Sequence, residues 1–159
     1  MASFRDKVPF VPTPKRIIRL MIQMAEIRPN ERICDLGSGT GRIIFAAAKQ
    51  HKQNLVIGIE KSFTLRLASN FLLCFHPFLK KRIKIVDQDF FNLDLQQFDV
   101  IFCFLTPDAL RILEPKFQFL KPGSRVVSYM FPLENYENFR EVSDHVSDKD
   151  SIYYYQKMS

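Results

Sequence analysis

Asp35, Gly37, Gly39 and Gly41 alternate with other residues in the stretch Ile33-Cys34-Asp35-Leu36-Gly37-Ser38-Gly39-Thr40-Gly41-Arg42-Ile43. Glycine at alternate positions lets the backbone turn sharply and lets a ligand lie almost on the main chain, because no Cβ stands between them. The apolar, β-prone run before the loop ends in a carboxylate, and an Ala-rich helical stretch, Ile43 to Lys49, follows at once. A strand, a glycine loop and a helix N-terminus in this order suit a nucleotide-like ligand. A second carboxylate, Glu60, closes the run Leu55-Val56-Ile57-Gly58-Ile59. It lies about 20 residues past the loop, the offset at which an acidic residue ending strand 2 accepts both ribose hydroxyls.

The spacing narrows the ligand. A dinucleotide loop, Gly-x-Gly-x-x-Gly/Ala, needs a small residue at position 42, which is Arg42, and a Walker loop, Gly-x-x-x-x-Gly-Lys-Ser/Thr, occurs nowhere. Metal chemistry has no support either. Cys34, Cys74 and Cys103 are odd in number, far apart and set in apolar runs, so they read as reduced core residues; His51, His76 and His145 lack ligand spacing.

The elements that must position these groups alternate. Val8-Pro9-Phe10-Val11-Pro12-Thr13-Pro14 is forced to be extended by its prolines. It is either a plain spacer or a lid over the ligand. Thr13 and Pro14 suit the N-cap and first position of a helix reaching about Ile27, with Ile17, Leu20, Met21 and Met24 on its inner face. After strands 1 and 2, Ser62 can cap a helix that carries Leu65, Ala68, Leu72 and Phe75 and stops by His76-Pro77. Arg82 to Val86 is strand 3 and Phe98 to Leu105 a buried strand 4. Thr106-Pro107-Asp108 starts a helix running to Leu120, and Ser124 to Met130 is strand 5. The runs Phe139 to Val146 and Ile152 to Tyr155 form a closing antiparallel hairpin. Such alternation predicts a three-layer α/β sandwich with a mostly parallel sheet, and Asp35, Glu60, Asp89 and Leu105 all fall at the strand ends where such sheets bind ligands.

With 159 residues the chain is expected to be a single domain, an extended Pro-rich lid at 1–13 and a core at 14–159. Hydrophobic residues make up 47% and charged residues 25%, ordinary for a globular domain. A formal net charge of +6 biases the surface toward acidic partners, RNA among them, although the basic residues are spread out and Lys80-Lys81-Arg82 is their longest cluster. No run approaches the roughly 20 apolar residues of a membrane span. The start lacks a secretory signal, and a cytoplasmic monomer is expected.

Asp35-x-Gly37-x-Gly39-x-Gly41 resembles the first motif of the class I S-adenosylmethionine (SAM) methyltransferases, and the ordered motifs extend that resemblance from about Val8 to Met158. The Val8–Pro14 string, the glycine loop and Arg125-Val126-Val127-Ser128-Tyr129-Met130-Phe131-Pro132 are similar to the non-SET protein-lysine methyltransferases, which include archaeal broad-specificity enzymes and the enzyme acting on the ATP synthase c subunit. The resemblance implies a Rossmann-like fold, SAM as cofactor and a protein lysine as substrate. It places Asp35 near the SAM ammonium group, with Pro12, Thr13, Gly37, Ser38, Gly39, Thr40, Gly41 and Lys61 around the cofactor and Glu60 at the ribose. Asp89, with Asp87 as rival, would bond the adenine amino group, and Phe90 would pack on the ring. Phe104, Thr106 and Tyr129 are candidates for the substrate channel, as are Phe10 and Phe131; core packing is the alternative for each aromatic. No metal and no general base is implied.

Two departures matter. Thr40 stands where the group usually has an acidic residue, and Phe104 where it usually has a tyrosine. The alternatives are therefore methylation of RNA or a small molecule, and a SAM-binding module without transfer activity. The absence of an Asn/Asp-Pro-Pro-Tyr/Phe string after strand 4 argues against the enzymes that methylate DNA bases or glutamine.

Overall fold

Seven strands carry the fold in a computed structural model that describes residues 11–147 and 149–158. They are β1 (Arg32–Leu36), β2 (Leu55–Ile59), β3 (Ile83–Val86), β4 (Val100–Cys103), β5 (Arg125–Tyr129), β6 (Phe139–Ser147) and β7 (Asp150–Lys157). They form one sheet in the order β3-β2-β1-β4-β5-β7-β6. The first five are parallel to one another, and β7 runs antiparallel between β5 and β6. After β3 the chain crosses back to the other side of β1 to form β4. The topology therefore reverses beside β1, leaving a crevice at the carboxyl ends of β1 and β4. Register makes those ends level, since Asp35 pairs with Gly58 on one side and Phe102 on the other.

Alternating strand residues feed two cores. Ile33, Val56, Val100, Phe102 and Val127 face the layer of α1 (Lys15–Ala25), α2 (Arg42–Ala48), α3 (Phe63–Cys74) and the short α4 (Pro77–Lys80). Cys34, Leu36, Ile101, Cys103 and Val126 face α5 (Pro107–Phe117). The three-layer sandwich and its closing hairpin match the sequence expectation.

Several boundaries differ for local reasons. Pro14, not Thr13, is the N-cap of α1, with ψ 145, so the helix opens at Lys15 and Thr13 is buried beside the crevice instead. The helix stops at Ala25 because Glu26 turns left-handed and its N–H donates to the Gln23 carbonyl. In α3 the buried positions are Ser69 and Leu73, whereas the apolar Leu72 and Phe75 are exposed. Pro77 ends α3 but also opens α4, since a proline lacks nothing at a first helical position. Helix α5 ends at Phe117, three residues short of Leu120. Val11 to Pro14 carries no regular structure, and the rest of the expected lid, residues 1–10 with Phe10, lies outside the described residues.

Candidate active site

The glycine loop leaves β1 after Leu36. Gly37, Gly39 and Gly41 have φ of +79°, +54° and +85°, a region where a side chain would strain each turn. The Gly37 and Ser38 N–H groups both donate to the Ile59 carbonyl, at 2.9 and 3.0 Å, so the loop folds over the end of β2. It sits so close that a Cβ on Gly58 would meet Ser38 Oγ at 2.6 Å. Ser69 Oγ, from α3, donates to the Gly39 carbonyl at 2.8 Å and fastens the loop from the far side.

Glu60 is held between the loop and α3. Its Oε2 accepts from the Gly39 N–H at 2.9 Å and its Oε1 from the Ser62 N–H at 2.8 Å. The carboxylate is fixed in direction before any ligand arrives, and each oxygen keeps a further lone-pair direction for a hydroxyl. Asp35 lies one strand away and is buried. Burial, and secondly the Glu60 charge, push its carboxyl up to about 8. An incoming cation would therefore be met by a carboxyl that gives up a proton to receive it. Ser38 Oγ is buried without a hydrogen-bond partner among the described residues, which marks it as a group awaiting a ligand.

These groups share a cavity of about 470 Å³, the size range of cofactor sites. Of the sequence-predicted cofactor residues, Pro12, Thr13, Asp35, Gly37, Ser38, Thr40, Glu60, Lys61, Asp89 and Phe90 line it, together with Phe104. Gly39 and Gly41 contribute the turns that shape its floor. Asp89 Oδ1 accepts from the Phe91 N–H at 2.9 Å, capping a 3-10 turn at Phe90–Asn92 and holding the Phe90 ring in place. Its rival Asp87 lies outside the lining and pairs with Arg66 at 2.6 Å.

The substrate-channel candidates divide. The Phe104 ring lines the cavity and packs on Tyr129, centroids 4.6 Å apart. Tyr129 stands behind it; its hydroxyl donates to Asp150 Oδ1 at 2.5 Å, and burial, then Asp150, push it up to about 12. Thr106 lies outside the lining, its Oγ1 accepting from the Ala109 N–H at 3.4 Å as the N-cap of α5. Phe131 packs against the α5-side core. Sequence reasoning overlooked Arg42, whose Nη1 donates to the Thr13 carbonyl at 3.2 Å and ties the extended segment to the start of α2. Among the described residues no group of three His, Cys, Asp or Glu could hold a metal. Burial raises the Cys34 thiol and lifts that of Cys103 to about 12, so neither is a nucleophile at neutral pH.

Comparison with known proteins gives these features company. The model of the ANTKMT methyltransferase domain matches residues 35–140, from Asp35 into β6. A protein-lysine N-methyltransferase of Saccharolobus islandicus is 34% identical over 88% of this chain and 86% of its own length. The mouse adenine nucleotide translocase lysine N-methyltransferase is 30% identical over 84% of this chain, which spans 57% of the mouse protein's length. In structure, an RNA methyltransferase from Salinibacter ruber, crystallised in complex with S-adenosyl-L-homocysteine, superposes with a TM-score of 0.82 at 29% identity, covering 94% of this chain and 95% of that one.

Proposed function

We propose that this chain, which belongs to the ANTKMT methyltransferase domain family and is a SAM-dependent methyltransferase, delivers the methyl group to a lysine side chain of a protein. The observation that carries the reading is the likeness to the Saccharolobus islandicus enzyme across most of both chains.

The residues present fit SAM. Asp35 receives the ammonium group, and the left-handed glycine turns let the amino acid end lie against the backbone near the unpartnered Ser38 hydroxyl. Glu60, oriented by the Gly39 and Ser62 N–H groups, accepts the ribose hydroxyls. Asp89 bonds the adenine amino group, and Phe90 covers the ring. Pro12 and Thr13, tied down by Arg42, close the cavity from above.

SAM supplies a methyl group already activated on sulfonium, so the chain's task is alignment and exclusion of water. Phe104, Leu105 and Phe91 make the cavity's apolar side, and Tyr129 backs Phe104. A lysine entering past them sheds water, which favours the neutral amine that can attack. Desolvation lets the ammonium lose its proton to bulk water on the way in, so the amine is already neutral when it attacks and no base is assigned. A tyrosine hydroxyl at position 104 is not required for that, since the ring alone excludes water.

We place the enzyme in the cytoplasm, a reading supported by its free cysteines, of which Cys34 and Cys103 are buried and Cys74, read from the sequence as a core residue, is exposed, and we take it to act as a monomer. The test is transfer of radiolabelled methyl from SAM into a lysate, with protease- and nuclease-treated controls and Asp35→Ala as blank. Label in protein that hydrolyses to methyl-lysine supports the reading. Label lost with nuclease favours the second reading, RNA methylation, which rests on the likeness to the Salinibacter ruber structure and on the basic charge.

A further inference from the structure

Helix α3 presents to solvent the residues a surface helix ordinarily hides. Ser69 and Leu73 are its buried positions. At 100° per residue, Phe63, Leu67, Phe71 and Phe75 follow one another at intervals of four on the opposite side. They are 69%, 60%, 63% and 67% exposed, and Phe78 of α4 continues the row at 86%. Phe71 and Phe75 pack edge to face at 5.2 Å, so the row is an ordered surface. Apolar area of this kind marks an interaction site.

Charge identifies what covers it. Residues 61–86, which hold α3, α4 and β3, contain Lys61, Arg66, Lys80, Lys81, Arg82 and Lys84 and no acidic residue. Elsewhere in the chain seventeen basic and seventeen acidic residues cancel, so the whole net charge of +6 belongs to this segment. Arg66 is committed to Asp87 and Arg82 to the carbonyls of Ala48 and His51; Lys80, Lys81 and Lys84 are exposed. The segment ends at an edge of the sheet, with β3 outermost, so no further strand screens it among the described residues.

We infer that α3 and α4 form a docking face for an anionic lipid bilayer, with the phenylalanine row entering the acyl boundary and the flanking lysines meeting the phosphate headgroups. Phenylalanine and leucine on one side of a helix, with lysines beside them and no acid nearby, are the pattern of a helix lying in an interface plane. Pairing with a second copy through the same face would bring like charges together. The mode is peripheral, because among the described residues no helix is long and apolar enough to cross a membrane. The face is independent of the methyl acceptor.

The test is flotation of the full chain with vesicles of phosphatidylcholine alone or mixed with phosphatidylserine. Wild type is expected to float with the mixed vesicles, less so in high salt, and to stay behind with phosphatidylcholine. The double variant Phe71→Ser/Phe75→Ser and, separately, Lys80→Ser/Lys81→Ser should each lower the partition coefficient about tenfold or more. Both should keep their circular dichroism and their affinity for S-adenosylhomocysteine, because none of the four side chains reaches the cavity. Failure of wild type to float with anionic vesicles overturns the proposal, as does equal flotation of both folded variants. So does a wild-type dimer that Phe71→Ser/Phe75→Ser converts to monomer, which would assign the face to self-association. Retention on an RNA homopolymer, lost in the lysine variant and without any flotation, would assign it to nucleic acid.

Discussion

Asp35 should make cofactor binding depend on pH. Burial and the neighbouring Glu60 hold its pKa at about 8 in the ligand-free protein. Only the ionised carboxylate attracts an ammonium group, so binding is coupled to loss of a proton. With that pKa, about 1% of the protein carries the ionised form at pH 6 and about half at pH 8, giving a roughly fiftyfold gain in affinity across the interval. At pH 7 binding should expel about 0.9 proton. Above about pH 8 Asp35 is already mostly ionised and the gain levels off. Isothermal titration with S-adenosylhomocysteine, in buffers of different ionisation enthalpy, reads both affinity and proton count. Asp35→Asn should bind weakly and lose the slope. A flat Kd between pH 6 and 8 with no proton released, or the same slope in Asp35→Asn, would refute the assignment. The linkage also acts on folding. A carboxyl whose folded pKa exceeds its unfolded value of about 3.9 keeps a proton that the unfolded chain has lost, so stability of the ligand-free protein falls as pH rises from about 4 to about 8. Thermal unfolding without ligand checks that sign.

Other outcomes follow from single contacts. Gly58→Ala pushes its Cβ onto Ser38 Oγ and should weaken S-adenosylhomocysteine binding by about tenfold or more, while Gly58→Ala/Ser38→Gly, which removes the atoms it meets at 2.6 and 2.8 Å, should recover most of the loop geometry in thermal-shift assays. Glu31→Gln leaves the fully buried guanidinium of Arg125 without the carboxylate now 2.5 Å from it and should cost about 3–5 kcal/mol in urea unfolding; adding Arg125→Met should restore much of that. Thr106→Ala removes the cap of α5 and should lower stability by about 1 kcal/mol with kcat/KM unchanged, whereas a fall in kcat/KM would return Thr106 to the substrate channel.

The parts of the fold legible in the sequence were those where one residue type has one use. Glycines at 37, 39 and 41 are needed for positive φ, the carboxylates at 35 and 60 stand at the ends of apolar runs and Asp89 shortly past one, so loop and strand ends were readable together. The terminal hairpin was legible from its β-prone runs, although β6 and β7 extend further than those runs because the ladder carries polar residues such as Ser147, Asp150 and Gln156 along with them. Thr13 was misplaced for a tertiary reason. Local preference makes Thr-Pro a helix start, but the cavity and the Arg42 contact hold Thr13 back, and the cap passes to Pro14. Arg42 itself was unreadable as a fastener, since its partner is a backbone carbonyl 29 residues away.

Helix α3 shows most clearly what periodicity alone conceals. Its apolar residues fill more than one face, so spacing could not decide between a stripe through Leu72 and Phe75 and one through Leu73. Contact decides it: the Ser69 hydroxyl must reach the Gly39 carbonyl, and that bond fixes the rotation of the helix about its axis. Once Ser69 points inward, Leu73 follows it one turn later, and Phe63, Leu67 and Phe71 must face out. The exposed row is therefore a consequence of securing the cofactor loop, and substituting Ser69 would loosen both. Charge was concealed in the same way. Counting lysines and arginines along the chain shows an even spread, and only the complete lack of Asp and Glu between Glu60 and Asp87 reveals where the positive field is concentrated. The helix that steadies the glycine loop through the Ser69–Gly39 bond is thus also the one that carries the exposed phenylalanine row.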